Sequence, residues 1–423
     1  MQSICAKDFS FASVLRPGDR IVVGQGTAEP RTLLRRLFEE ARAGLLPEVV
    51  LFVGPIYSDS FNGDLPECLR IESYGGIGGA SALARAGRLS LYPTHVSCID
   101  QDFREGRLRA DVVLLPLRPA LSGQGLNLGI ARDYTLTAAR QSRAVIGELQ
   151  PEMPACYGGD LTEDLPIEAL VRAETGLLEL VTPPGDDCAR AIARRIADLV
   201  PDGAVLQLGV GTIPALVCEM LTKHRDLGVH SGALVDGIVD LADSGALTNA
   251  RKEHDRGVSV GGILLGTRRL YDFANANPAF RLAGHDETHS LDVTAALSRF
   301  HAINSALEVD LTGQIGSETV GGRYLGAIGG QVDFMRAAQM SEGGRAIIAL
   351  PATTRKGQSR IVTRVDTVTC SRADADTIVT EYGVAELRGQ PISERVRRMI
   401  AIAAPECREA LERDWHAAQG VEG

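Results

Sequence analysis

The sequence predicts an α/β protein built from two related open domains, with the site where strand ends and the two halves meet. One observation is a repeated phrase. Gly24-Gln25-Gly26-Thr27-Ala28-Glu29-Pro30 follows the apolar Ile21-Val22-Val23, and about 185 residues later Gly209-Val210-Gly211-Thr212-Ile213-Pro214 follows Val205-Leu206-Gln207-Leu208. Each copy reads as buried strand, glycine turn, then helix with proline near its start. That order leaves backbone N–H groups free at a helix N-terminus, where an anion or oxyanion can bind. A second observation is the alternation of short apolar runs with helical patterns, as in βαβ units. The third is a break at Thr182-Pro183-Pro184-Gly185-Asp186-Asp187, which divides the chain into domains of residues 1–184 and 185–423.

The elements follow in order. Strands are expected at 21–23, 49–53, 112–115, 144–148, 205–208, 263–265 and 346–350, each a short run rich in Val, Ile and Leu. Helices are expected at 31–43, 187–199, 214–222 and 234–243. The pair Asp186-Asp187 gives the second of these a favourable charge at its N-terminus. After Pro405 the chain reads as one helix and a frayed tail.

Composition sets limits. At 423 residues and 44% apolar content the chain can support two cores. A net charge of −10 argues against non-specific binding to nucleic acid or to an anionic membrane surface. The first twenty residues carry Lys7, Asp8, Arg16 and Asp19 and no apolar stretch of the kind a secretory leader needs. No apolar run is long enough for a membrane span. The eight cysteines are scattered without a CxxC pair, which suits buried thiols in a reducing cytoplasm.

Several residues could carry chemistry. Gly26 and Thr27, and Gly209, Gly211 and Thr212, occupy the two glycine turns. The stretch 326–331 (GAIGGQ) sets Gly329, Gly330 and Gln331 after an expected strand, where glycine lets backbone approach a ligand closely or simply makes a tight turn. Arg355, Lys356 and Arg360 surround Gly357 in an expected loop that could meet phosphates or be solvated surface.

At this point the motifs resemble a known family. The segments INSALEVDLTGQ, GGQVDFMRAA, SEGGRAIIALPATTRKGQSRIV and TEYGVAELRG, with LGVGTIPALV and GVHSGALVDGIVDLADSGALTNARK before them, are similar to acetyl-CoA hydrolase/transferase proteins. The likeness covers nearly the whole chain. It implies a CoA-transferase-like fold and an enzyme that moves CoA between an acyl-CoA and a small carboxylic acid, with CoA as co-substrate and no bound cofactor or metal. It also implies a homo-oligomer, at least a dimer, while the composition fits a cytoplasmic enzyme. The implied route is covalent: an enzyme carboxylate becomes first an anhydride and then a CoA thioester. Gly329 and Gly330 would hold the oxyanions, and Asn304 would orient the carboxylate or bind an oxyanion.

One position departs from the pattern. In the family the nucleophile is the Glu after His-Ser of the segment matched here by Gly228-Val229-His230-Ser231, and this chain has Gly232 there. Three readings are open. Transfer could use a relocated carboxylate, for which Glu29 and Asp59 are candidates; each could equally be a helix-start or turn residue. The chain could hydrolyse acyl-CoA directly, with His230 or a carboxylate as base. It could bind acyl-CoA without turnover.

Other constellations are weaker. His285 and His289 are four apart but lack a third ligand and the HExxH order. The run 74–79 (YGGIGG) is a glycine turn that could face phosphate or serve packing. Glu308 and Asp310 are expected to support the turn at Gly313, and Glu381 to be structural. Succinate-like, itaconate-like and short monocarboxylic acids all fit the sequence; a dicarboxylate would call for a cation, and Arg31, Arg132 and Arg323 are available.

Overall fold

The structure, a computed structural model, describes residues 2–161 and 165–418. The expected C-terminal tail at 419–423 lies outside the described residues. The expected α/β architecture is present, in two compact units. The first comprises Met1–Val181 with Gly232–Leu234 and Ser259–Thr288; the second comprises Thr182–Ser231, Val235–Val258 and His289–Gly423.

In the first unit, parallel strands lie side by side in the order Leu89–Leu91, Leu69–Ser73, Val49–Val53, Arg20–Val23, Val112–Pro119, Ala144–Leu149, Ile167–Arg172. The strands are apolar on both faces because both faces are covered. Ile21, Val23, Leu51 and Leu114 pack with Leu33, Leu34 and Leu37 of the helix Arg31–Arg42. Val22, Phe52, Val113 and Leu115 point the other way, into a second layer with Ile99, Phe103 and Tyr134. Each such side chain, fully buried, contributes about 1.5–3 kcal/mol. The order reverses between Arg20–Val23 and Val112–Pro119, so the first glycine turn stands at a topological switch point. The pair Ser259–Leu264 and Phe280–Leu282, parallel in register Ser259↔Phe280, also belongs to this unit.

In the second unit, Gly228 and Val229 pair with Val205 and Leu206, and Val205–Leu208 pairs on its other side with Phe300–Ser305. Arg345–Ala349, Thr377–Thr380 and the antiparallel Gly383–Glu386 follow outward. The second glycine turn therefore stands at the corresponding switch point, between Val205–Leu208 and Phe300–Ser305. Asp186 caps the helix Asp187–Ala197, its carboxylate accepting from Ala189 N–H at 2.8 Å. The helix expected at 214–222 starts earlier, as Thr212–Leu221, because Pro214 is tolerated in a first turn. The helix expected at 234–243 forms only as Gly237–Asp243, Leu234 being the last residue of the strand Gly228–Leu234.

All eight cysteines are free; Cys156, Cys218 and Cys370 are buried and the others partly so. Lys252 is fully buried, its ammonium donating to the carbonyls of Val229 and Val258 at 3.2 and 2.8 Å. Among the described residues no helix is long and apolar enough to cross a membrane.

Candidate active site

The first glycine turn is closed. A Cβ on Gly24 would lie 2.3 Å from Ala28 O, so the turn exists only with glycine there. Gly26, at φ +60°, is walled by Leu265, Ile263 and Tyr57. Thr27 is buried and donates its hydroxyl to Leu264 O at 2.5 Å. Gln25 is locked in a buried chain: Tyr74 Oη donates to its carbonyl at 2.6 Å, and its amide donates to Asp133 at 2.7 Å. The helix N–H groups expected to be free are taken. Thr32 and Leu33 donate to the Glu148 carboxylate at 2.8 and 3.0 Å. Burial pushes that carboxyl up to about 7 against the pull of the two N–H donors. An internal carboxylate has filled the anion position of this helix.

Glu29 follows on the same turn and is buried. Its Oε1 accepts from Tyr57 N–H at 2.7 Å and Ser58 N–H at 3.1 Å, and its Oε2 accepts from the Ser58 hydroxyl. Burial raises its pKa above the ordinary value; those hydrogen bonds and the nearby Arg31 oppose the rise. Asp59 stands two residues beyond Tyr57, exposed on a turn closed by Asn62 N–H to Asp59 O at 3.0 Å. It lines a cavity with Arg31, Arg35, Arg42, Asn62 and Thr175.

The second glycine turn is open. Gly209, Gly211 and Thr212 are half-exposed and Val210 is exposed. Gly211, at φ +131°, would find nothing within 4 Å of an added Cβ, and a Cβ on Gly209 would meet only ordinary contacts at 3.4 Å or more. No side chain caps the helix that starts at Thr212. Beside this turn, Asn304 near the end of its strand donates to Gln207 Oε1 at 2.7 Å, and Gln207 returns a longer bond to Asn304 Oδ1 at 3.3 Å. Gln207, the hydrogen-bond partner of Asn304, was overlooked by motif reading; its signal is a polar residue inside the otherwise apolar run Val205-Leu206-Gln207-Leu208. His230 is fully buried on its strand and meets the His254 ring edge-on at 5.8 Å.

The 326–331 stretch is a real turn into a helix, Gln331–Met340, capped by Gly330. Gly329 has φ +61° and open space where a Cβ would stand. Gly330 is required by packing, since a Cβ would fall 2.5 Å from the His289 ring. Gln331 is buried and ties two segments together, donating to Ser305 O at 3.0 Å and accepting from Ser317 Oγ at 2.8 Å. Lys356 is exposed at the tip of a turn held by Thr354 N–H to Gln358 O at 2.8 Å.

Several expected supporting roles are seen directly. Asp310 Oδ1 accepts from the N–H groups of Thr312 and Gln314, at 2.9 and 3.0 Å, and so builds the turn at Gly313. Glu381 accepts from Ala352 N–H at 2.9 Å. Gly78, at φ +64°, packs on Ile56, whose carbonyl would be 2.1 Å from a Cβ. His285 lies 3.2 Å from Asp100, both buried, and the His289 ring packs on Phe334 at 4.6 Å. Among the described residues no group of three or more His, Cys, Asp or Glu could hold a metal ion.

Comparison with known proteins places the chain in a family. Residues 266–415 match the acetyl-CoA hydrolase/transferase C-terminal domain. The 4-hydroxybutyrate coenzyme A transferase of Clostridium kluyveri is 38% identical over 344 residues, 80% of each chain. RipA from Yersinia pestis superposes with a TM-score of 0.90 at 32% identity, covering 97% of this chain and 96% of its own. The acetyl-CoA hydrolase of Saccharomyces cerevisiae stands further off, 28% identical over 59% of this chain and 49% of its own. The chain belongs to the acetyl-CoA hydrolase/transferase family.

Proposed function

We propose that this protein is a CoA-transferase that exchanges CoA between an acyl-CoA and a small carboxylic acid, with Glu29 as the relocated nucleophile. The observation that carries the reading is the pair of N–H donors, Tyr57 and Ser58, on one oxygen of Glu29. Glu29 Oε2 attacks the thioester carbonyl; the C–S bond breaks, CoA leaves as thiolate and an acyl–glutamyl anhydride remains. The thiolate then attacks the Glu29 carboxyl carbon, and charge develops on Oε1, where the two N–H groups already point. The donor acid departs as carboxylate, leaving a glutamyl–CoA thioester that an acceptor acid reverses. Burial of Glu29 shields both intermediates from water. Asp59, exposed and with no such donors among the described residues, is the second candidate. Asn304 and Gln207 are assigned to hold polar oxygens of the substrate, Gly209, Gly211 and Thr212 with Gly329, Gly330 and Lys356 to contact CoA, and Gly26, Thr27 and Gln331 to fix the turns. His230 is kept as the base of the hydrolytic alternative.

The test is intact mass after incubation with a panel of acyl-CoAs, with peptide mapping of any CoA adduct. An adduct at Glu29, lost in Glu29→Gln with at least a hundredfold fall in transfer, is the expected result. An adduct mapped to Asp59 would move the nucleophile there. Free CoA accumulating without an acceptor acid and without an adduct would replace transfer by hydrolysis. Neither adduct nor turnover would leave acyl-CoA binding alone.

The same reading assigns a homo-oligomer of at least two copies and a cytoplasmic location, supported by eight free thiols of the kind a reducing compartment maintains. Light scattering that returns a monomer mass, or fractionation that places the protein outside the cytoplasm, would refute these two points.

A further inference from the structure

The helix Arg31–Arg42 carries a basic stripe that the proposed chemistry does not use. At about 100° per residue, Arg31, Arg35, Phe38 and Arg42 fall within about 60° of one another on the helix surface. The core-facing Leu33, Leu34, Leu37 and Ala41 lie to one side. Beside the stripe is a cavity of about 250 Å³, lined by Arg31, Arg35, Arg42, Asp59, Asn62 and Thr175 among others.

Its walls are fixed from behind. Phe61 packs edge-on against Phe38 at 5.3 Å, and Ser60 N–H donates to Ser58 Oγ at 3.1 Å, so the 57–62 wall is held through Ser58 to Glu29. On the other side Arg31 donates to Gly176 O, and Gln150 donates to Thr175 O at 2.7 Å. Arg42 lies over the Phe38 ring at 5.9 Å. Arg35 meets Glu174 only loosely, at 3.5 Å with both half-exposed, a pair that contributes little and is easily exchanged for a ligand.

Charge and size select the ligand. Three guanidinium groups and one carboxylate line the cavity, an excess of two positive charges on a chain whose net charge is −10. Guanidinium forks match phosphate oxygens in pairs, and Ser60, Asn62 and Thr175 add side-chain hydrogen-bonding groups. Arg31 and Arg42 are eleven residues apart, about 16 Å along the helix, so the charges suit an elongated anion better than a single small ion. The volume is below the roughly 300–1,000 Å³ of pockets that take drug-sized ligands.

We propose that this cavity binds a small phosphorylated anion, of at least two negative charges, through Arg31, Arg35 and Arg42. Asp59 opposes the bound charge and sets its affinity. The source is either the phosphate end of the co-substrate or a separate phosphorylated metabolite.

The probe is inorganic pyrophosphate, titrated calorimetrically into the full chain at low ionic strength; this arm does not depend on the transferase reading. One pyrophosphate is expected per chain. The double variant Arg35→Gln/Arg42→Gln, at exposed positions, weakens binding at least tenfold, and Asp59→Asn tightens it severalfold. No binding to the unaltered protein, or binding indifferent to both variants, overturns the proposal. Kinetics with CoA esters and their 3′-dephospho counterparts separate the two sources. If the co-substrate's phosphate fills the cavity, the double variant raises KM for the CoA ester and abolishes its advantage over the dephospho form. If a separate metabolite fills it, both KM values stay put while pyrophosphate binding is lost.

Discussion

The two glycine turns have the same phrase, the same preceding strand and the same place at a switch point, yet they differ in almost every contact. In the first, helix N–H groups, the Gln25 amide and the Thr27 hydroxyl all find partners inside the unit. In the second, the turn is half-exposed and its helix has no side-chain cap. The register sharpens the contrast. Val23 pairs with Leu114 and Leu208 with Ile303, so Val22 and Leu115 occupy the positions that Gln207 and Asn304 occupy in the second sheet. An apolar pair has become a polar one on the same frame. A repeated phrase therefore marks a repeated backbone, while the side chains next to it decide how many of the turn's polar groups are already paired within the unit.

The largest expected effect is at the paired strand positions. Leu115→Ala should cost roughly 4 kcal/mol in urea unfolding, as a buried leucine truncated to a cavity. Asn304→Ala should cost about 1 kcal/mol, one side-chain hydrogen-bond pair, and lower kcat about a hundredfold. Equal stability losses at the two positions, with kcat unchanged for Asn304→Ala, would erase the distinction.

Next is Glu148, the carboxyl that closes the first helix. Burial pushes its carboxyl up to about 7 from the ordinary 4.5, so between those values the folded state holds a proton that the unfolded state has lost. The resulting stabilisation is fully present below pH 4.5 and disappears as pH rises through 7, a swing of roughly 3 kcal/mol. Glu148→Gln removes this swing, so denaturation midpoints of protein and variant should separate between about pH 4.5 and 7 and follow parallel courses below and above that window. Parallel curves from pH 4 to 8 would count against it.

The smallest effect is at the turns themselves. Gly24→Ala forces a Cβ against Ala28 O and should cost roughly 2 kcal/mol, whereas Gly209→Ala, in ordinary contact distances, should stay within about 0.5 kcal/mol. Thermal melts that rank the two the other way would show that the second turn is the tighter one.

Local signals were legible in the sequence. The runs at 49–53 and 205–208 are strands as read, and the helix read to start at the acidic pair does so, with Asp186 as its cap. What stayed hidden is non-local. Glu148 reaches the N–H groups of Thr32 and Leu33 across more than a hundred residues, and Gln25 finds Tyr74 and Asp133 across comparable gaps. No periodicity encodes such meetings, which depend on which strands become neighbours. The return of Ser259–Thr288 to the first unit is of the same kind: the charge run 251–256 (RKEHDR) before it marks a loop but not which unit the next strand joins. Gly330 read as a glycine for a tight turn or for close approach of a ligand, and a further need for glycine comes from a histidine 41 residues earlier. Gln207 could have been found by asking why an apolar strand carries one amide.

The sequence contains only four lysines, at 7, 223, 252 and 356. Lys252 is sealed among carbonyls, so an amine-reactive reagent meets only three side chains on the folded surface. One of them, Lys356, stands at the tip of the loop assigned here to CoA. Lysine footprinting is thus a nearly background-free reporter of that loop, and sudden labelling of Lys252 is a direct signal that the second unit has come apart.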